Sequence, residues 1–159
     1  MHELRLMGGV CRAVVVVSTV FGVATLSAGA ASADGPVQIR SRLGDFCLDA
    51  PSPSGDIPVV INPCNGSDFQ RWNLNGRQLE NVASPGRCLT MRVEGSVSHL
   101  ELCRDAYIQH WSFQPNGQVT TDAGSCLTVL SVFGNIGPGT RVSARWCSGD
   151  PGQGWDSVP

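Results

Sequence analysis

From residue 34 onward the chain is a succession of short apolar-bearing segments separated by Gly, Pro, Asn and Asp, and no stretch there keeps a helical period for ten residues. Val37-Gln38-Ile39, Pro58-Val59-Val60-Ile61, Gln78-Leu79-Glu80, His99-Leu100-Glu101-Leu102 and Arg141-Val142-Ser143-Ala144 therefore read as strands. Asn75-Gly76 and Asn116-Gly117 are hairpin signals, because φ > 0 is cheap at both residues of such a turn. These features predict an all-β fold. Ahead of them lies an apolar run from Ala13 to about Leu26, flanked by Arg5 and Arg12 and followed by small residues through Ala31-Ser32-Ala33. That order predicts a secretory signal peptide over residues 1–33, cleaved after Ala33. An uncleaved membrane anchor is the competing reading, and Gly22, Thr25, Ser27 and Gly29 weaken it.

The remaining chain repeats itself. Gln70-Arg71-Trp72, Gln109-His110-Trp111 and Gln153-Gly154-Trp155 stand 39 and then 44 residues apart. Each is preceded by a Cys-Leu opening, at Cys47-Leu48-Asp49, Cys88-Leu89-Thr90 and Cys126-Leu127-Thr128, and by a second cysteine, Cys64, Cys103 or Cys147. A glycine, Gly44, Gly86 or Gly124, comes just before each opening. A period near forty residues marks pseudo-symmetric supersecondary units. Four short strands in each of three units predict a closed barrel with threefold pseudo-symmetry over residues 34–159, in repeats of about 36–75, 76–116 and 117–159. In an extended Gln-x-Trp segment the outer two side chains share a face, which turns Arg71, His110 and Gly154 toward solvent. Trp72, Trp111 and Trp155 are then core residues whose indole N–H groups need carbonyl partners.

Composition narrows the function. Without residues 1–33 the chain carries nine arginines, no lysine and twelve acids, a net charge of −3 that favours neither nucleic acid nor an anionic membrane. Cys11 falls in the signal, leaving six cysteines, and an even count in an exported chain reads as three disulfides. The pairing that respects the repeat is Cys47–Cys64, Cys88–Cys103 and Cys126–Cys147, each contributing about 3 kcal/mol by restricting the unfolded chain. A metal site is not expected: there is no Cys-x-x-Cys and only His99 and His110 remain. No cofactor-binding or catalytic motif stands in this region, and Asp45 and Asp49 are an acid pair near a turn, so no enzyme is expected.

The three Gln-x-Trp copies and three Cys-Leu openings resemble the ricin B-type lectin domain, a β-trefoil also found as carbohydrate-binding modules attached to secreted glycosidases. The resemblance runs from about Val37 to Pro159. It implies a shallow galactose-type pocket per unit, with an acid two residues after the leading cysteine accepting hydrogen bonds from sugar hydroxyls. Asp49, Thr90 and Thr128 hold that place, so only the first unit keeps the acid. The stacking aromatic implied two residues before the second cysteine is replaced by Asn62, Glu101 and Arg145. A helper glutamine gives way to Val60, His99 and Ser143, and an asparagine before the motif glutamine to Phe69, Ile108 and Gly152. The second and third units then read as scaffold. The first offers Asp49, Asn62 and Gln70 as sugar contacts, with Phe69 and Trp146 as substitute aromatic platforms. The bland alternatives are a turn cap for Asp49, ahead of Pro51-Ser52-Pro53-Ser54-Gly55, and peripheral packing for the two aromatics.

Two functions remain. One is a secreted carbohydrate-binding module recognising galactose- or xylose-type glycans through the first repeat. The other is a protein-interaction module, an extracellular inhibitor or accessory subunit, using the trefoil as a stapled scaffold; its motive is the loss of site residues from two units together with Phe133 in the long segment Leu130–Gly139. Asn65-Gly66-Ser67 is a glycosylation acceptor that matters only in a eukaryotic host.

Overall fold

Alternating apolar positions in short segments can be buried only by pairing edge to edge, and the chain does this in four strands per unit. The computed structural model describes residues 35–159 except 55–56, 93–94 and 132–133. The expected signal peptide and Phe133 lie outside the described residues. The first unit holds β1 (Val37–Ser41), β2 (Phe46–Asp49), β3 (Val60–Pro63) and β4 (Arg71–Asn75). The second holds β5 (Gln78–Asn81), β6 (Arg87–Thr90), β7 (His99–Leu102) and β8 (Trp111–Phe113), and the third β9 (Val119–Thr121), β10 (Ser125–Val129), β11 (Thr140–Trp146) and β12 (Trp155–Val158).

The first and last strands of the units follow one another around a ring. β1 pairs with β4 through Val37 opposite Trp72, β4 pairs with β5, β8 with β9, and β12 returns to β1 through Ser41 opposite Trp155. The second and third units each bring their first and last strands together through a backbone bond, Trp111 N–H to Arg77 C=O at 2.7 Å and Trp155 N–H to Gly117 C=O at 2.8 Å. The middle strands form hairpins β2–β3, β6–β7 and β10–β11 in matching register, with Cys47 opposite Asn62, Cys88 opposite Glu101 and Cys126 opposite Arg145. The hairpins meet in a cyclic triad in which Val59 N–H donates to Ser98 C=O, Ser98 N–H to Val142 C=O and Val142 N–H back to Val59 C=O, at 2.9, 2.9 and 3.3 Å. Each of these residues stands five before its unit's second cysteine, so the triad marks the threefold axis of a β-trefoil. The disulfides are Cys47–Cys64, Cys88–Cys103 and Cys126–Cys147, one within each unit.

The same side-chain contacts recur in every unit. The indoles of Trp72, Trp111 and Trp155, all buried, donate to the carbonyls of Leu48, Leu89 and Leu127 at 3.1, 2.9 and 2.9 Å, tying each Gln-x-Trp to its own Cys-Leu opening. The motif glutamines are buried as well. Their Nε2 groups donate to the side chain two places after the leading cysteine, reaching Asp49 Oδ2, Thr90 Oγ1 and Thr128 Oγ1 at 2.9, 2.9 and 3.2 Å. A second Nε2 hydrogen goes to the carbonyl just before the second cysteine, on Pro63, Leu102 or Trp146, at 3.0, 2.9 and 2.7 Å. Their Oε1 atoms accept the backbone N–H just after that cysteine, from Asn65, Arg104 and Ser148 at 2.8, 2.8 and 3.0 Å. One amide thus fastens both ends of each hairpin.

Three local expectations change. Gln70, Gln109 and Gln153 do not lie on extended chain but end 3-10 turns spanning Asp68–Gln70, Tyr107–Gln109 and Pro151–Gln153, which drop the glutamine beneath the hairpin. His110 does not simply face solvent; its ring sits between Asp105 and Asp122 at 2.7 and 2.9 Å, and Arg77 also pairs with Asp122. The hairpin signals are displaced too. Asn75 is the last ladder residue, opposite Gln78, so the connection is Gly76-Arg77, with Gly76 at φ 62°. In the β8–β9 connection Gly117, at φ 88°, closes a turn by donating to Gln114 C=O.

A clasp without counterpart in the repeat joins the first unit to the third and to the end of the second. Arg42 donates through Nε and Nη2 to Asp156 Oδ1 at 3.0 and 2.6 Å and through Nη1 to Asn116 C=O at 2.8 Å. Its side chain lies against Gly117 and Gly154, where any Cβ would collide with it. The hydrogen bond from Arg42 lowers the Asp156 pKa, and the same bond raises that of the arginine.

Gln109→Leu keeps the volume but strands the Leu102 carbonyl and the Arg104 N–H. We expect a loss of about 2–4 kcal/mol in urea unfolding at unchanged m, and a loss under about 0.5 kcal/mol would refute the staple. A carboxylate with a lowered folded pKa contributes stability above its unfolded pKa and loses that contribution as pH falls through the folded value. The small gap in urea midpoint between the wild type and Asp156→Asn should therefore close on acidification below the ordinary carboxylate range; a gap that widens there would contradict the clasp.

Candidate functional site

β2 ends in Asp49 and β3 carries Asn62 across the hairpin, so sheet register brings both to the Gln70 amide. Asp49 Oδ2 accepts from Gln70 Nε2 at 2.9 Å and from Asn62 Nδ2 at 3.1 Å. Asp49 is 5% exposed, and its Oδ1 is buried without a hydrogen-bond partner among the described residues. Among the described residues the partners of Asp49 are thus side chains from β3 and the turn before β4, not the local N–H groups that a turn cap would bind. An unmatched buried acceptor forfeits about 1–3 kcal/mol, which a ligand hydroxyl recovers by donating to it. Because Asp49 is 5% exposed, such a donor reaches Oδ1 only when the side chains around it shift.

Asn62 also faces the third unit. Its Oδ1 accepts from Gly139 N–H at 2.9 Å, because β3 pairs with β11 through Ile61 opposite Thr140. Gly139 has φ 81°, a left-handed backbone suited to glycine, and Ile136 of the same segment packs half-buried against the core. Through Gly139 and Ile136 the long segment Leu130–Gly139 is therefore in part a strap across the first unit.

Gln70 requires a correction. It is fully buried, both Nε2 hydrogens are engaged by Asp49 and Pro63, and Oε1 holds the Asn65 N–H. It has nothing to offer a sugar and instead orients Asp49. Phe69 is 38% exposed, and its carbonyl accepts Ala50 N–H at 3.1 Å, so it stands beside the strand end that presents Asp49.

Trp146 does not join this group. It ends β11 opposite Ser125, is 77% exposed, and lines a depression of about 530 Å3 with Thr128, Arg145, Ser148, Asp150 and Gln153. The sequence reading takes the third unit as scaffold and names Trp146 as a substitute platform for the first; the structure places Trp146 instead with Arg145, Ser148 and Asp150 around this depression. In the second unit Glu101 is held by Arg92 and Arg104, each at 3.3 Å, and Thr90 replaces the acid. Among the described residues no group of three or more His, Cys, Asp or Glu side chains could hold a metal, and no helix is long and apolar enough to cross a membrane.

Comparison with known proteins agrees with this architecture. Residues 35–155 match the ricin-type beta-trefoil lectin domain. An uncharacterized protein of Mycobacterium tuberculosis (strain ATCC 25618 / H37Rv) is 58% identical over 161 residues, covering 100% of both chains. An agglutinin from Abrus precatorius superposes with a TM-score of 0.67 at 21% identity over 77% of this chain, which spans 48% of that one. The C-half of an earthworm R-type lectin, solved in complex with GalNAc, superposes with a TM-score of 0.65 at 12% identity, covering 78% of this chain and 98% of that one.

Proposed function

The chain belongs to the ricin-type β-trefoil lectin family, and from that premise we propose that it is an exported, non-catalytic carbohydrate-binding module that recognises galactose- or xylose-type glycans through its first unit. The observation that carries this reading is the Asp49 carboxylate, one oxygen fixed by Gln70 and Asn62 and the other buried without a partner among the described residues. Asp49 accepts from a sugar hydroxyl, Asn62 supplies the neighbouring polar contact, Phe69 is the nearby aromatic for the C–H face of the ring, and Gln70 positions the acid. The GalNAc-bound earthworm lectin of the same fold supports the ligand class. Export accords with residues 1–33 as a signal and residues 34–159 as the working domain, since three disulfides persist in an oxidising compartment.

A single pocket of this kind binds a monosaccharide at about millimolar affinity, near −4 kcal/mol. The protein-interaction reading drew on the loss of site residues from two units and on Phe133, which lies outside the described residues; the buried Asp49 carboxylate favours the glycan reading, which is carried forward.

The other two units supply the substitution that tests it. Threonine already serves as the glutamine's partner there, so Asp49→Thr removes the carboxylate while keeping an acceptor for Gln70. We expect this variant to unfold within about 1 kcal/mol of the wild type and to lose sugar-competable retention on a galactose or xylose resin. Unchanged retention by a folded Asp49→Thr protein would rule out the first-unit site.

A further inference from the structure

We infer that the pocket between the long third-unit segment and the hairpin of the second unit binds an amphipathic monocarboxylate, its alkyl chain on the apolar walls and its carboxylate on Arg141. The ligand class and the place both differ from those of the glycan reading, and the inference does not rest on it. The pocket holds about 600 Å3, within the ordinary range for small-ligand sites. Val97, Leu130, Ile136 and Pro138 line it with apolar side chains, and Asn135 and Arg141 stand among them as polar ones.

The pocket has no counterpart in the repeat, because the segment that forms it is longer than its equivalents. Thr128 to Val142 spans 14 positions, against 10 from Asp49 to Val59 and 8 from Thr90 to Ser98. All three units hold the walls. Gly139 N–H donates to Ile61 C=O and to Asn62 Oδ1, both at 2.9 Å, which anchors the segment on the first unit. Thr140 Oγ1 donates to Gly137 C=O at 2.7 Å and accepts Gly137 N–H at 3.0 Å, closing the turn that leads into β11. Val97 bridges Ser143, whose Oγ donates to Ser96 C=O at 2.6 Å, so the second-unit hairpin is fixed against β11. Leu130 N–H donates to Arg141 C=O at 2.8 Å, which sets the leucine beside the arginine. The walls are thus formed before a ligand arrives, and binding loses little freedom in ordering them.

Charge selects the ligand. Val142 is a core residue, and the pleat of β11 turns its neighbour Arg141 outward, where it is exposed. Arg141 makes no ion pair among the described residues, and no Asp or Glu among them lines the pocket. A guanidinium beside apolar walls favours an anion with an apolar body: the carboxylate takes parallel N–H donors while the alkyl chain leaves water. A sugar would find neither a carboxylate nor an aromatic ring on this lining. An alkylammonium would be repelled.

Octanoate, kept below its micelle concentration and titrated into the 15N-labelled protein, tests the site by NMR. It should shift the amides of Val97, Leu130, Ile136 and Gly137 saturably and leave those of Ala50 and Ser148 in place. Hexanoate, two methylenes shorter, should bind about tenfold more weakly. Octanamide, of the same length without the charge, should bind about fivefold more weakly, and octylammonium more weakly still. Arg141→Glu should reverse that order and favour octylammonium over octanoate, while Leu130→Ser should weaken octanoate and octanamide alike. Pelleting with phosphatidylcholine vesicles that carry oleate, and not with vesicles that lack it, would assign an acid presented by a bilayer. Octanoate binding without pelleting would assign a free acid, and either outcome upholds the site. The inference falls if no saturable shift reaches these four amides, if octanamide matches octanoate on the wild type, or if a folded Arg141→Glu protein keeps the wild-type order. Sugar retention and its dependence on Asp49 stand or fall separately.

Discussion

The primary amide of the motif glutamine is the interaction on which the rest of this trefoil depends. A hairpin bent over a barrel end leaves backbone donors and acceptors facing inward, where each unmade bond is expensive. A glutamine set beneath it by a 3-10 turn satisfies a carbonyl on one side of the second cysteine and an N–H on the other, and still has a hydrogen for the residue after the leading Cys-Leu. Two residues later the tryptophan fills the core and bonds the leucine carbonyl of that same opening. The disulfide locks the ends that the amide aligns. Each unit is therefore fastened internally, and the units join through the β4–β5, β8–β9 and β12–β1 ladders and the cyclic triad.

This device also separates scaffold from site by one side chain. The position that receives the amide needs only an acceptor oxygen, and threonine meets that need in two units. Aspartate meets it in the first unit with one oxygen and holds another in reserve. In the third unit threonine leaves the floor without an acid, and the exposed Trp146 beside the disulfide lines a depression with Asp150 at its rim. Loss of the floor acid does not remove the surrounding relief, because the amide maintains that relief whichever acceptor is present.

Much of this was legible in the sequence. Strand positions, triplication, cysteine pairing and buried tryptophans follow from spacing, because each is a property of one unit repeated. What stayed hidden depends on contacts between units or on bond counting. Arg42 reaches Asp156 across 114 positions, and Gly139 reaches Asn62 across 77; neither pair repeats, so no period announces it. Gln70 read as a ligand contact because its residue type is polar, and only its full set of partners shows the amide saturated. The depression around Trp146 depends on a turn folding Asp150 back toward β11, which alternation along a strand does not encode.

The most direct measurement is hydrogen exchange of side-chain amides by 15N NMR of the folded protein. The account predicts that the Nε2 hydrogens of Gln70, Gln109 and Gln153 exchange slowly and together, far behind those of a half-buried glutamine such as Gln114. Exchange of the three motif amides at the rate of Gln114 would mean that they do not fasten the hairpins, and the account would be wrong.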